Sequence, residues 1–119
     1  MSSDAERALW RLEHIQVAAL QIRTLLKDRV VADLRTDFVV RAAYERLIEI
    51  IGEASRHIPA EWKAQHPDVP WQQVHGIGNI LRHVYHSVQP DVLWNIYEDD
   101  LGPLERAVDA MIAAYGPIP

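Results

Sequence analysis

The chain has 119 residues, 49% hydrophobic and 24% charged, with a formal net charge of −5, and these values suit one folded domain, residues 1–119, rather than a disordered chain or two ordinary domains. The absence of cysteine excludes disulfides and thiolate metal sites and fits a reducing compartment. The acidic balance excludes a broadly basic nucleic-acid-binding surface, because nonspecific affinity comes from phosphate neutralisation by Lys and Arg. Any contact with nucleic acid must be local.

At the N-terminus, MSSDAERALW has neither a basic stretch nor a continuous apolar one, so no secretion signal is read there. Charges interrupt every apolar run well short of the roughly 20 residues that cross a bilayer. A cytoplasmic protein without membrane contact is expected.

Ser3 and Glu6 have the spacing of a capping box. They precede Leu9, Leu12, Ile15, Ala19, Ile22 and Leu26, which recur every three or four residues and predict a long first helix. Arg29 to Leu34 reads as a turn or brief helix. Thr36 or Asp37 can cap the next element, whose stripe of Val39, Ala42, Ala43, Leu47, Ile50, Ile51 and Ala54 predicts a second long helix ending near His57, before Pro59. Between Pro59 and Pro70 there is room for one helical turn, around Ala60 to Gln65.

Pro70 sits where a first-turn proline belongs, and Trp71 to Ser87, WQQVHGIGNILRHVYHS, predicts the third main helix. Gly76 and Gly78 fall inside it. Interior helix glycines cost about 1 kcal/mol each relative to alanine, so close approach of another backbone, at a helix crossing or a subunit contact, is expected to justify them. Ser87 to Asp91 is a connector, and Pro90 starts a last helix running to Ile112, which Gly102 and Pro103 should kink. The tail GPIP is expected to fray. No strand signal or repeat appears. The fold class expected is all-α, an antiparallel bundle of four main helices with a short extra helical turn and a kinked last helix.

The third helix holds three of the six histidines. At about 100° per residue, Tyr85, Gly78, Arg82, His75, His86, Asn79 and His83 fall in that order within an arc of roughly 160°. Val74, Ile77, Ile80, Leu81, Val84 and Val88 occupy the other side, so the apolar stripe can be buried while the polar groups share one surface. A zinc site from His75, His83 and His86 lacks a carboxylate companion and has an eight-residue gap; no metal and no cofactor are expected.

Four segments carry a resemblance: IGEA (51–54), VPW (69–71), GNILRHVY (78–85) and DVLWNIYEDDLGPL (91–104). Through most of its length the chain resembles the HepT-like branch of the HEPN superfamily, small all-helical proteins, usually homodimers, whose best-studied members are ribonuclease toxins held in check by a minimal nucleotidyltransferase antitoxin, MntA. The family signature is an arginine, often followed by asparagine, then His-x-Tyr after four to six intervening residues. His83, Val84 and Tyr85 match its end and Asn79 matches the asparagine. The arginine position falls on Gly78, while Arg82 directly precedes the histidine.

The resemblance implies metal-independent endoribonuclease activity on an RNA substrate. His83 would transfer protons, since an imidazole titrates near neutral pH. Arg82, one turn from position 78 on the same face, would hold the phosphate bidentately, and Asn79 would orient His83 or bond the RNA. His75 and His86 would line the cleft, which a two-fold homodimer completes. Tyr85 would be the hydroxyl that the MntA-like nucleotidyltransferase modifies with AMP, blocking the site by charge and bulk. A second reading, prompted by Gly78, is a catalytically inactive helical partner that binds a nucleotide or a nucleotidyltransferase.

Overall fold

The computed structural model describes residues 3–83 and 88–117, with the side chains of Ser3, Gly78, Asn79, Ile80, Arg82 and His83 outside the description. The predicted capping by Ser3, the end of the third helix at 84–87 with Tyr85, His86 and Val84, and the last two residues of the tail therefore lie outside it.

Helix α1 spans Ser3–Leu26. Two residues past its end, Asp28 has a φ of 62°, a short polar side chain in the left-handed region where helices commonly stop. A turn leads into α2, Asp33–Thr36, and then α3, Phe38–Arg56. Of the two predicted caps for α3, Asp37 does the work: its carboxylate accepts from the Val40 amide at 3.2 Å. The Thr36 hydroxyl instead donates to the Ala32 carbonyl.

Helix α4 is the single turn Ala60–Lys63. Pro70 precedes α5, Trp71–His83, and Pro90 opens α6, Pro90–Asn95. A π turn, Ile96–Asp100, joins α6 to α7, Leu101–Tyr115, so the three pieces form one long irregular helix. The irregularity sits just ahead of Gly102 and Pro103. Pro103 has no amide to give the carbonyl four residues earlier and its ring crowds that carbonyl. The preceding backbone takes up the misfit by bonding the Leu101 amide to the Ile96 carbonyl, five residues back.

Four main helices thus form an all-α fold, with α1 packed on α3 and α7, and α3 packed in turn on α5. The core is aliphatic: Leu12, Ile15, Ile22, Leu34, Leu93 and Met111 are almost wholly buried. Tyr44 is also fully buried, and its hydroxyl donates to the Leu93 carbonyl at 2.6 Å, fastening α3 to α6. Burial pushes the Tyr44 phenol up from its ordinary value, so the group is a neutral donor. No helix among the described residues is long and apolar enough to cross a membrane.

Candidate functional site

The candidate site rests on α5, and α5 is set by its own first residue. The Trp71 indole N–H lies 3.1 Å from both the Lys63 and the His66 carbonyls, tying the start of α5 to the end of α4. The Pro70 carbonyl accepts from the Val74 amide, closing the first turn. Regular helix then continues to His83.

That continuity brings together the backbone positions of four predicted residues. His75, Asn79 and His83 follow one another at four-residue spacing, and Arg82 is adjacent, so all four occupy one side of the helix. The expected arc therefore exists as far as His83. Tyr85 and His86 lie outside the described residues.

The His75 side chain has a defined place. Its Nε2 lies 3.1 Å from the Lys63 ammonium, which also donates to the Ser55 carbonyl at 3.0 Å. An ammonium has no acceptor, so Nε2 accepts and the ring proton sits on Nδ1. Burial lowers the His75 pKa below its ordinary value, and the charges of Lys63 and Arg56 lower it further. His75 is thus a neutral ring bound to a cation, an arrangement not anticipated for a residue expected simply to line a cleft.

The far end of the connector is equally fixed. Arg41 donates from Nη2 to the Val88 carbonyl at 2.7 Å, and its Nε reaches Glu45 at 3.3 Å. Arg35 pairs with Asp91 at 2.9 Å, and Tyr44 holds the Leu93 carbonyl. Helices α2 and α3 therefore anchor residues 88–93, the stretch directly after the sequence motif. Sequence reasoning left Arg41 and Tyr44 without a role. The signal available was their three-residue spacing, which puts both on one side of α3.

Three other positions have a defined setting. A Cβ added at Gly76 would meet nothing within 4 Å among the described residues, so no second backbone among them closes on it, contrary to the helix-crossing explanation. Glu53 of the IGEA segment is exposed and pairs with His57 at 3.3 Å, and that hydrogen bond holds its carboxyl below the usual range. The neighbours Asp99 and Asp100 differ: Asp99 is exposed, while Asp100 is half-buried and its carboxyl is pushed up by burial and by Asp99.

Asp100 and Gly76 both border a cavity of about 590 Å³ between α5 and the last helix, floored by Tyr44, Ile48, Ile51 and Leu104. It arises because α5 packs chiefly on α3, leaving the sides of α5 and the last helix apart.

Comparison with known proteins agrees with this architecture. A family model described as "Ribonuclease HepT-like" matches residues 15–111. The chain is 34% identical to a protein of Thermococcus cleftensis named "Probable ribonuclease HepT" over 79% of this chain and 86% of that protein. It is 31% identical to "Putative RNase TTE0752" of Caldanaerobacter subterraneus subsp. tengcongensis over 85% of this chain and 90% of that one. A shorter match, 38% identical to "Putative RNase MJ1380" of Methanocaldococcus jannaschii, spans 60% of this chain and 65% of the relative. No solved structure matches.

Proposed function

Because the chain belongs to the ribonuclease HepT-like family, we propose that it is a metal-independent endoribonuclease, the toxin of a HepT/MntA-type toxin–antitoxin pair. The observation that carries this reading is the register of α5, which runs unbroken through Asn79, Arg82 and His83. In the reaction the ribose 2′-oxygen forms a bond to the adjacent phosphorus and the bond from phosphorus to the 5′-oxygen breaks. His83 takes the 2′-hydroxyl proton as general base. The departing 5′-oxygen takes a proton from an imidazolium or from water. Arg82 binds the phosphate and offsets the charge that builds on its oxygens, and Asn79 orients His83 or bonds the RNA.

A homodimer supplies what an acidic monomer lacks. Two copies of the α5 face, related by a two-fold axis, double the local positive charge and form a cleft, with His86 beside it. Tyr85 is the regulatory residue. Transfer of AMP from ATP to its hydroxyl by a cognate MntA-like nucleotidyltransferase places a phosphodiester where substrate phosphate must bind. The test is a pair of assays in the presence of a metal chelator. The unmodified protein cleaves RNA, and the same protein after incubation with the nucleotidyltransferase and ATP gains mass in AMP units on Tyr85 and stops cleaving. Intact RNA in the first assay contradicts the nuclease reading, and unchanged mass contradicts the AMP switch.

Gly78 is the observation that favours a second reading, a noncatalytic helical partner of a nucleotide or a nucleotidyltransferase. The variant Gly78→Arg separates the two. If Arg82 binds the phosphate, the parent cleaves and the variant adds little; an inert parent that gains cleavage through Gly78→Arg supports the noncatalytic reading.

A further inference from the structure

Lys63 is the end of α4, yet its side chain reaches across to two other elements. Its ammonium donates to the Ser55 carbonyl in the last turn of α3 and to His75 Nε2 on α5. The first bond adds a second donor to a carbonyl at the C-terminus of α3 that already accepts from the Ile58 amide, where positive charge is favourable. The second has no such explanation. A hydrogen bond to an imidazole leaves the positive charge intact and raises the cost of protonating the ring.

Both acceptors are neutral. Among the described residues Lys63 makes no ion pair with a carboxylate, and no carboxylate charge bears on its titration, which burial alone lowers. Arg7, Arg23, Arg29, Arg35, Arg41 and Arg46 have acidic partners; among the described residues Lys27, Arg56 and Arg106 also lack one but are exposed, and Arg11, half-buried like Lys63, lies over the Trp10 ring. In a chain of net charge −5, Lys63 is a half-buried cation kept free of counter-charge. It has three N–H donors, of which Ser55 and His75 take two, and the Trp71 ring lies 6.0 Å from the ammonium. Arg56 is near enough to act electrostatically on the same histidine, so the local field is positive.

The position is informative as well. His75 lies eight residues before His83 on the polar side of α5, about 12 Å along the axis at 1.5 Å per residue. We infer that Lys63, held in place by Ser55 and His75, binds a backbone phosphate of the RNA chain away from the bond that is cut. Its role is affinity and register, since phosphate contacts position a nucleic acid without reading its sequence. The inference rests on the ribonuclease reading, and its test is independent of cleavage.

The experiment measures binding of a fluorescent single-stranded oligoribonucleotide to the full chain carrying His83→Ala, across a series of salt concentrations. Lys63→Gln in that background keeps a hydrogen-bonding side chain and removes the charge. The expected result is about ten-fold weaker binding at low salt and a salt dependence shallower by about 0.7 in the log–log slope, the value of one phosphate contact on a single strand. Lys63→Arg should restore both. A role limited to fastening α3 to α5 would leave the slope unchanged, and an unchanged slope overturns the inference, as does absence of RNA binding in the parent.

Acylation footprinting on the chain with Lys63 intact supplies a measurement that needs no folded variant. RNA should protect Lys63 from acylation, and equal labelling with and without RNA overturns the site. Cleavage by the protein with His83 present is scored separately. Cleavage with an unaltered slope in the Lys63→Gln comparison removes the Lys63 site alone, whereas a shallower slope without cleavage removes the nuclease reading alone.

Discussion

Arg41 and Val88, 47 residues apart in sequence, are joined by a 2.7 Å hydrogen bond from the guanidinium to the main-chain carbonyl. This bond fixes the start of the stretch that follows the His-x-Tyr motif to the first half of α3. Replacing Arg41 with alanine leaves the carbonyl without its donor and Glu45 without its cation. A stability loss of about 1–2 kcal/mol is expected for a hydrogen bond to a charged group, read from the urea midpoint. If the bond positions the motif, RNA cleavage also falls at temperatures where circular dichroism shows the variant fully folded. Normal cleavage by folded Arg41→Ala would limit the residue to a stabilising role.

The neutral state of His75 gives a pH dependence with a definite sign. Its pKa in the folded chain lies below the ordinary imidazole value of 6.5, through burial first and then through Lys63 and Arg56. The unfolded chain therefore takes up that proton more readily than the folded one, so the stabilisation is complete above pH 6.5 and is lost as pH falls through the lower folded value. Urea unfolding between pH 8 and pH 5 should show a steeper acid loss for the parent than for His75→Gln, which cannot be protonated. Parallel curves would mean that His75 is as easily protonated in the folded chain as in the unfolded one.

Gly76 offers a stability gain. With nothing within 4 Å of the position a Cβ would take, Gly76→Ala removes the entropic cost of a glycine inside α5 without a clash. An increase of roughly 0.5–1 kcal/mol is expected, visible as a higher melting temperature. A decrease would show that the space beside Gly76 is filled in the assembled protein, as a subunit contact would require.

Periodicity carried the helices well. The apolar stripes of α1 and α3, Pro70 before α5 and Pro90 at the head of α6 each mark an element the structure contains, because three- and four-residue spacing and first-turn prolines act locally. In α3 the stripe marks the helix but only its end, Ile51 and Ala54, lies on the buried side with Val40, Tyr44 and Ile48, while Val39 and Ala42 are exposed. The π turn at Ile96–Asp100 was less legible. Gly102 and Pro103 announced an irregularity, but which turn absorbs it depends on how α6 and α7 both dock on the rest of the bundle. The same limit applies to charges. Asp99 and Asp100 are chemically identical neighbours that both border the cavity, and only the rotation of the last helix decides that Asp100 is half-buried there while Asp99 stays exposed.

The candidate site divides along the same line. Helical spacing alone puts His75, Asn79, Arg82 and His83 on one side of α5. Lys63, Arg41 and Tyr44 could not be assigned this way. Each acts through a partner at least eight residues distant, Ser55 and His75 for Lys63, Val88 for Arg41 and Leu93 for Tyr44. Those pairings exist only once the chain is packed.

The central claim is that His83 moves the proton in RNA cleavage. The most direct measurement compares the parent with His83→Ala, both purified as full chains with matching circular dichroism, on the same RNA with a metal chelator present. The parent should cleave, and loss of the imidazole should lower the rate by at least about 10²-fold, the lower range for a general acid–base group. Cleavage by His83→Ala at the parental rate would contradict the account.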